Sequence, residues 1–524
     1  MRIQLGRNRH LRNPPAESIN VALHTRSIIG SHGVKPTRCL ISLFWLSGLL
    51  SPALLDAAHP PDRSLAAYVQ GAQHRQAYGI YVKQRKLGWA IDEVKLGQYA
   101  GREVAVQTYE EHWRYTAGGE VSHGEARTVN YYELEGKGEI VFAVEEVTED
   151  GTTLRRTASR VGKQMAVTTV SRGVETQRDV PVPKATLARA RELDDWLKKG
   201  PAPGSRFTNY STEWGEERID QEEITTIRGK KDILWGGVKT TVFLVNLADA
   251  GAITEAEITA DGTIIKGHLS GVFEIRAEKE ALASQPASGM VDLLTASSIP
   301  VDRDLGDPAK VLSLTLEITA TDRFELPVSH RQRVRWHRGK TTIVELSKDH
   351  RVKRPTQLSA GDRARYVKST PACQSEHETI RQLAGRIVGD TRDTLERAAK
   401  LRHWVFANVR STMAANASTA LDVLTNRAGD CTEHTLLFVA LARALDIPAR
   451  EVSGVMYMGE GQPAFGWHAW AEIHDGHQWI SIDPTWDQSY VDATHLALSE
   501  NTDDWSWVNA VGQMKFHVLK SQAR

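Results

Sequence analysis

The chain has 524 residues, with 65 Lys and Arg against 65 Asp and Glu, and is 41% hydrophobic and 25% charged. Zero formal net charge excludes a surface held to polyanions by bulk electrostatics, so no nucleic acid partner is expected. Three cysteines exclude a disulfide-stapled scaffold, and the composition is that of a folded globular protein of about three domains.

The first element is an apolar run, Leu40 to Leu50 (LISLFWLSGLL), preceded by Lys35 and Arg38 and followed by Pro52, Ala53, Ala57 and Ala58. It falls short of the roughly 20 residues of a membrane-spanning helix. A basic flank, an apolar core and small residues are the parts of a secretory signal, so residues 1–58 are expected to be a signal region with an over-extended start. Translation is expected to begin near Val34, and the mature protein to be exported, periplasmic and without a membrane span. Cys39 precedes the run and is out of place for lipid acylation.

From 76 to 180 the pattern is period-two alternation, as in Glu139-Ile140-Val141-Phe142-Ala143-Val144, with Asp150-Gly151 as a hairpin signal. Lys184 to Lys199 then carry Leu187, Ala190, Leu193 and Leu197 at helical spacing, with Gly200 past the end. Strands resume from Arg206 to Arg276, with a second turn at Asp261-Gly262. The spacing predicts one β-rich domain over 60–285, a large twisted sheet or half-barrel with one inserted helix, expected to position substrate or a partner protein. Residues 286–370 read as a linker and small β module, alternating from Lys310 to Leu346.

Asp390 to Val409 read as a helix with Asp390 or Thr391 as N-cap. In the following stretch Gly429 and Asp430 break the chain just before Cys431, and an apolar run continues to Pro448. Cys431 is therefore expected at the head of a buried helix, where peptide N–H groups favour a thiolate while Asp430 and Glu433 oppose it. His468 lies in FGWHAWAEI. If Asp475-Gly476 is a two-residue hairpin loop, His474 opposes His477 and His468 faces Asp483 across the ladder. That register puts Ala469, Ala471, Ile473, Ile480 and Ile482 on a core face. His468, Trp470, a solvated Glu472, Ser481 and Asp483 take the other, and Pro484 ends the strand.

A cysteine nucleophile, a histidine base and an orienting acid are the parts of acyl transfer through a thioester. The backbone N–H of Cys431 supplies one oxyanion donor, Asn416 is the candidate second, and Trp470 is the candidate cleft residue. Cys431-x-x-His434, with His474, His477 and His495 downstream, also has metal-like spacing. It lacks a second cysteine pair or an HExxH motif, and neither a metal nor a cofactor is assigned. Cys373 reads as an exposed or half-buried thiol in a linker, with no disulfide to Cys431.

Gly429-Asp430-Cys431, Ala442 to Arg450 (ARALDIPAR), Ser453-Gly454, His468-Ala469-Trp470 and Asp483-Pro484-Thr485 together resemble the core motif of the transglutaminase-like superfamily. The resemblance covers about residues 376–520. It implies an α+β protein whose carboxy-terminal domain is papain-like, preceded by the β-rich regions, and a catalytic Cys431, His468 and Asp483 acting on peptide or protein amide bonds. Animal transglutaminases carry a tryptophan before the nucleophile and acidic calcium-binding loops. The Asn416-Ala417-Ser418-Thr419 region has no such tryptophan and the loops are not recognisable, which favours hydrolysis over cross-linking. The different-class alternative is a catalytically silent binding module on the same scaffold.

Overall fold

The computed structural model describes residues 64–524 apart from 118, 172, 217, 250–251, 270–271, 287–288, 321–324, 413–418, 460 and 501–511. The expected signal region and Asn416 lie outside the described residues. No helix among the described residues is long and apolar enough to cross a membrane. The architecture is α+β, with a large β-rich region preceding a carboxy-terminal unit of helices packed on a smaller sheet.

The alternation of residues 74–278 becomes one 14-stranded antiparallel sheet. It is built of two meanders. Eight strands run consecutively from His74–Val82 to Val174–Pro181, and six from Arg206–Thr212 to Phe273–Glu278. The meanders join where the first strand pairs with the last, Ala77 facing Glu278 and Ile80 facing Ile275. The two Asp-Gly turns fall where the alternation breaks: Glu149 pairs with Thr152 around Asp150-Gly151, and Ile258 pairs with Ile264 around Asp261-Gly262. Asp150 and Gly151 have φ of 47° and 79°, the left-handed pair of a tight hairpin.

One face of this sheet is covered by two helices, Leu65–Ala72 and Leu187–Lys198, capped by Ser64 and Thr186. Leu193 and Leu197 pack with Tyr78, Trp113, Ile227 and Ile275, so the inserted helix buries its apolar stripe against both meanders. The same face also buries Asp92, Glu111 and Glu223. Burial, and then the charge of Glu149, push the Glu111 carboxyl up to about 8, against a hydrogen bond donated by Tyr109.

A four-stranded sheet follows, in the order Gln332–Arg338, Thr341–Ser347, Val311–Thr319, Lys515–Ala523. Its last member comes from the far end of the chain. A six-stranded sheet runs Gln488–Ser489, Trp479–Asp483, Ala464–His474, Ala449–Tyr457, Leu496–Ser499, with Ile299–Pro300 pairing onto the start of Ala464–His474. Helices Glu378–Val388, Thr394–Asn408, Ala420–Asn426 and Cys431–Arg443 pack on it, burying Ile380, Leu401, Val405 and Phe438 together with Ile473, Ile480 and Ile482. The helix expected to start at Asp390 begins at Thr394, because the Asp393 carboxylate caps it by accepting the Glu396 N–H at 2.9 Å.

Candidate active site

The helix Cys431–Arg443 starts on a capping box. The Asp430 carboxylate accepts the Thr432 N–H at 2.7 Å, and the Glu433 carboxylate accepts the Asp430 N–H at 2.9 Å. Gly429 makes room for it, since a Cβ there would lie 2.1 Å from Glu433 Cβ. The apolar run from Leu436 to Ala442 sinks the helix into the core, and Cys431 occupies its first position.

The strand Ala464–His474 passes directly beside that position. The Ala469 N–H donates to Cys431 Sγ at 3.3 Å, and Thr435 Oγ1 donates to the Ala469 carbonyl at 3.3 Å. The sulfur therefore rests against the peptide that joins His468 to Ala469. On the strand opposite, Gly454 pairs with His468, and its lack of a side chain is required: a Cβ would lie 2.2 Å from the Leu496 carbonyl oxygen and 2.7 Å from the Trp470 indole.

His468 and Asp483 do meet, with His468 Nε2 2.7 Å from Asp483 Oδ2, but not in the expected register. The hairpin pairs His474 with Trp479, Ile473 with Ile480 and Ala471 with Ile482, so the loop holds Asp475, Gly476, His477 and Gln478 and is two residues longer than predicted. The Asp475 carboxylate accepts the N–H groups of His477 and Gln478, each at 2.8 Å, which stabilises the wider loop. Because strand side chains alternate with period two, a slip of two leaves every residue on its predicted face. His468 thus reaches Asp483 on the diagonal. The other Asp483 oxygen, Oδ1, accepts the N–H groups of Thr485 at 2.8 Å and Trp486 at 3.3 Å, beyond the strand end at Pro484.

His495, whose spacing in the sequence suggests only a metal ligand, completes the group. His495 Nε2 lies 3.2 Å from Asp483 Oδ2 and its Nδ1 lies 3.2 Å from Asp492 Oδ1. The only signal for it in the sequence is a polar Asp492-x-x-His495 pair beside the apolar Leu496-Ala497-Leu498. Burial opposes ionisation of Asp483, yet His468 and then His495 outweigh it and hold the carboxyl well below its usual range. Burial likewise opposes charge on His495, but Asp492 and Asp483 raise it to about 9. His468, Asp483 and His495 offer ligand atoms within 4.8 Å of one another. Both Nε2 atoms, however, face the same ionised oxygen and must carry protons there, which leaves neither with a lone pair for a cation.

The thiol is not poised as a thiolate. Cys431 is 1% exposed, and burial, followed by Asp430, pushes it well above the ordinary thiol range; the Ala469 N–H acts the other way, and Asp483 and Glu433 add to the rise. Trp470, the expected cleft residue, is fully buried, closed in by Val452, Val491 and Ala497 with its ring edge-on to His495 at 5.2 Å. Glu472 is buried rather than solvated. Arg450 donates to it at 2.6 and 2.9 Å and Ser481 Oγ at 3.1 Å, so a charge that packing removed from water is paired.

His434 spends both ring nitrogens on backbone carbonyls, those of Asp430 at 2.6 Å and Val409 at 3.0 Å. Cys373 is a free thiol, as is Cys431, but it is buried rather than exposed. It packs into the core of the helical layer, and burial pushes it up to about 11.

Residues 381–484 match the model of the transglutaminase-like superfamily. An uncharacterized protein of Haemophilus influenzae is 32% identical over 95 residues, 17% of this chain and 26% of that protein. The chain thus spans about a quarter of the length of the curated relative it matches. A candidate cysteine protease from Cytophaga hutchinsonii aligns at a TM-score of 0.28 and 20% identity, over 41% of this chain and 86% of that one. A candidate protease from Parabacteroides distasonis aligns at 0.18 and 11%, over 66% and 69%.

Proposed function

We propose that this protein, a member of the transglutaminase-like superfamily through residues 381–484, is a cysteine-dependent amide hydrolase or acyltransferase acting on peptide or protein amide bonds, with hydrolysis favoured over cross-linking. The observation that carries the reading is a continuous line of contacts. Cys431 Sγ rests on the Ala469 N–H at 3.3 Å, and the adjacent His468 holds Asp483 at 2.7 Å.

Since His468 Nε2 is turned to Asp483, Nδ1 is the nitrogen that takes the Cys431 proton. The thiolate then attacks the amide carbonyl and forms the C–S bond, and the Cys431 N–H at the helix head stabilises the oxyanion. The C–N bond breaks as the His468 imidazolium returns its proton to the leaving amine. Water, or a second amine, attacks the thioester and releases Cys431. Asp483 keeps His468 in the right tautomer and stabilises its charged form. The same proposal makes the protein exported and periplasmic, supported by the run Leu40 to Leu50, with the β-rich region holding substrate or a partner.

The 1% exposure of Cys431 favours a second reading, a silent binding module on the same scaffold. Incubation with a glutamine peptide, with and without a labelled primary amine, separates the two. Ammonia release that Cys431→Ala abolishes supports hydrolysis, and amine incorporation would reverse the preference for it. If there is no turnover, and iodoacetamide modifies Cys431 no faster than Cys373 at neutral pH, the enzyme reading is lost.

A further inference from the structure

Hydrogen-bond accounting around His495 reaches beyond a triad. Its Nε2 faces Asp483 Oδ2 and its Nδ1 faces Asp492 Oδ1, each at 3.2 Å, and all three side chains are at most 1% exposed. A carboxylate is an acceptor only, so an imidazole with an ionised carboxylate on each nitrogen must carry both protons. Asp492 is itself held ionised: its Oδ1 accepts the Thr494 N–H at 2.8 Å and the Thr494 hydroxyl at 2.6 Å, and Gln488 donates to its Oδ2 at 3.2 Å. Burial opposes that charge, and His495 then lowers the carboxyl.

Deepening the triad reading on which it rests, we propose that His495 is a positioning residue: a fixed imidazolium that shares Asp483 Oδ2 with His468 and keeps His468 neutral, and so able to act as a base, at lower pH. Two features of the geometry carry this. The His468 and His495 rings lie 5.5 Å apart at 68°, both donating to one oxygen, so a proton on His468 meets a like charge across a shared anion. The clamp is also dry, roofed by Trp470 with its ring 5.2 Å from His495 and 6.2 Å from His468, so water does little to screen that repulsion.

The other charged groups facing the pocket do not undo it. Arg331 donates to the carbonyl oxygens of His495 at 2.6 Å and Asp492 at 3.2 Å, adding positive charge from the neighbouring sheet, and Asp349 and Glu472 balance that guanidinium. Asp430 and Glu433 sit at the helix head, where they and Asp483 act on the Cys431 thiol. Burial fails to neutralise His495, because Asp492 and Asp483 hold its proton.

The test uses the full chain with its histidines labelled at Cε1, and the resonances of His468 and His495 assigned by their loss in His468→Gln and His495→Gln. In the native protein His495 is expected to resonate as an imidazolium at pH 7, and a neutral His495 there overturns the proposal without any variant needing to fold. In folded His495→Gln, which retains one donor, the His468 titration is expected to move up by about one pH unit. The acid limb of Cys431 alkylation by iodoacetamide should move with it. A His468 midpoint that stays put in the folded variant rejects the proposal. Failure of the enzyme reading looks different: Cys431 stays unreactive at every pH in both proteins while the histidine titrations still report on the clamp.

Discussion

Asp483 Oδ2 stands 2.7 Å from His468 Nε2, although on adjacent strands the two residues are two places out of register. A diagonal contact of this kind tolerates less adjustment than a head-on pair, because the carboxylate must lean along the strand. The Thr485 and Trp486 N–H groups on Oδ1 supply that lean.

Asp483→Asn removes the charge and turns its amide N–H group either to both histidines, which already donate to the Oδ2 position, or to the Thr485 and Trp486 N–H groups at the Oδ1 position. Turnover of a peptide amide should fall about 10³- to 10⁴-fold, by analogy with loss of the orienting acid in a serine protease triad. The buried His495 cation also loses one of its two anions, so the thermal midpoint should fall in the same variant. Steady-state kinetics beside calorimetry checks both, and an unchanged kcat would remove Asp483 from the mechanism.

Gly454→Ala should destabilise the domain by about 2–4 kcal/mol, since the new methyl meets the Leu496 carbonyl oxygen at 2.2 Å and the Trp470 ring at 2.7 Å. Urea midpoints measure it. Gly361→Ala is the control, because the Cβ there would meet nothing nearer than Ser359 Oγ at 3.8 Å.

The large sheet should lose stability as pH rises. Glu111 titrates near 8 in the folded protein against an ordinary value of 4.5, so the folded state holds a proton that the unfolded chain releases. This contribution is fully present below pH 4.5, declines through pH 8 and is flat above it, a loss on the order of 5 kcal/mol. Glu111→Gln keeps an acceptor for Tyr109 and should narrow the difference between urea midpoints at pH 5 and pH 9. Equal pH dependence in the two proteins would assign the effect elsewhere.

Thr412 Oγ1 donates to Glu120 Oε2 at 2.6 Å, and the Thr412 N–H to the Gly429 carbonyl at 3.1 Å, two residues before the thiol. This ties a hairpin of the large sheet to the approach to Cys431. Glu120→Ala should raise the rate of Cys431 alkylation several-fold while leaving Cys373 unchanged, as followed by peptide mass spectrometry. Equal rates would show that the tie does not gate access.

The sequence carried the faces of the Ala464–His474 and Trp479–Asp483 hairpin further than its loop. Ala471, Ile473, Ile480 and Ile482 declare a core face through alternation, which a two-residue slip preserves. The loop length hangs on whether the Asp475 carboxylate captures local N–H groups, a choice that the Asp-Gly dipeptide leaves open. His495 was not legible, because its importance comes from two acids brought to it by separate turns of the chain, Asp483 and Asp492. Glu111 and Glu223 were equally hidden: alternation puts them on the inner face of the large sheet, but only the covering helices decide that this face is dry.

The order of strands in the large sheet has a consequence for how the molecule assembles. Each meander closes by short hairpins and can zip up on its own, whereas the seam between His74–Val82 and Phe273–Glu278 joins partners such as Gln76 and Glu278, 202 residues apart. Closing so long a loop is entropically costly and slow compared with hairpin formation. Folding is therefore expected to pass through two preformed ribbons with their inner strands exposed, and the seam to be the last part to gain protection from hydrogen exchange.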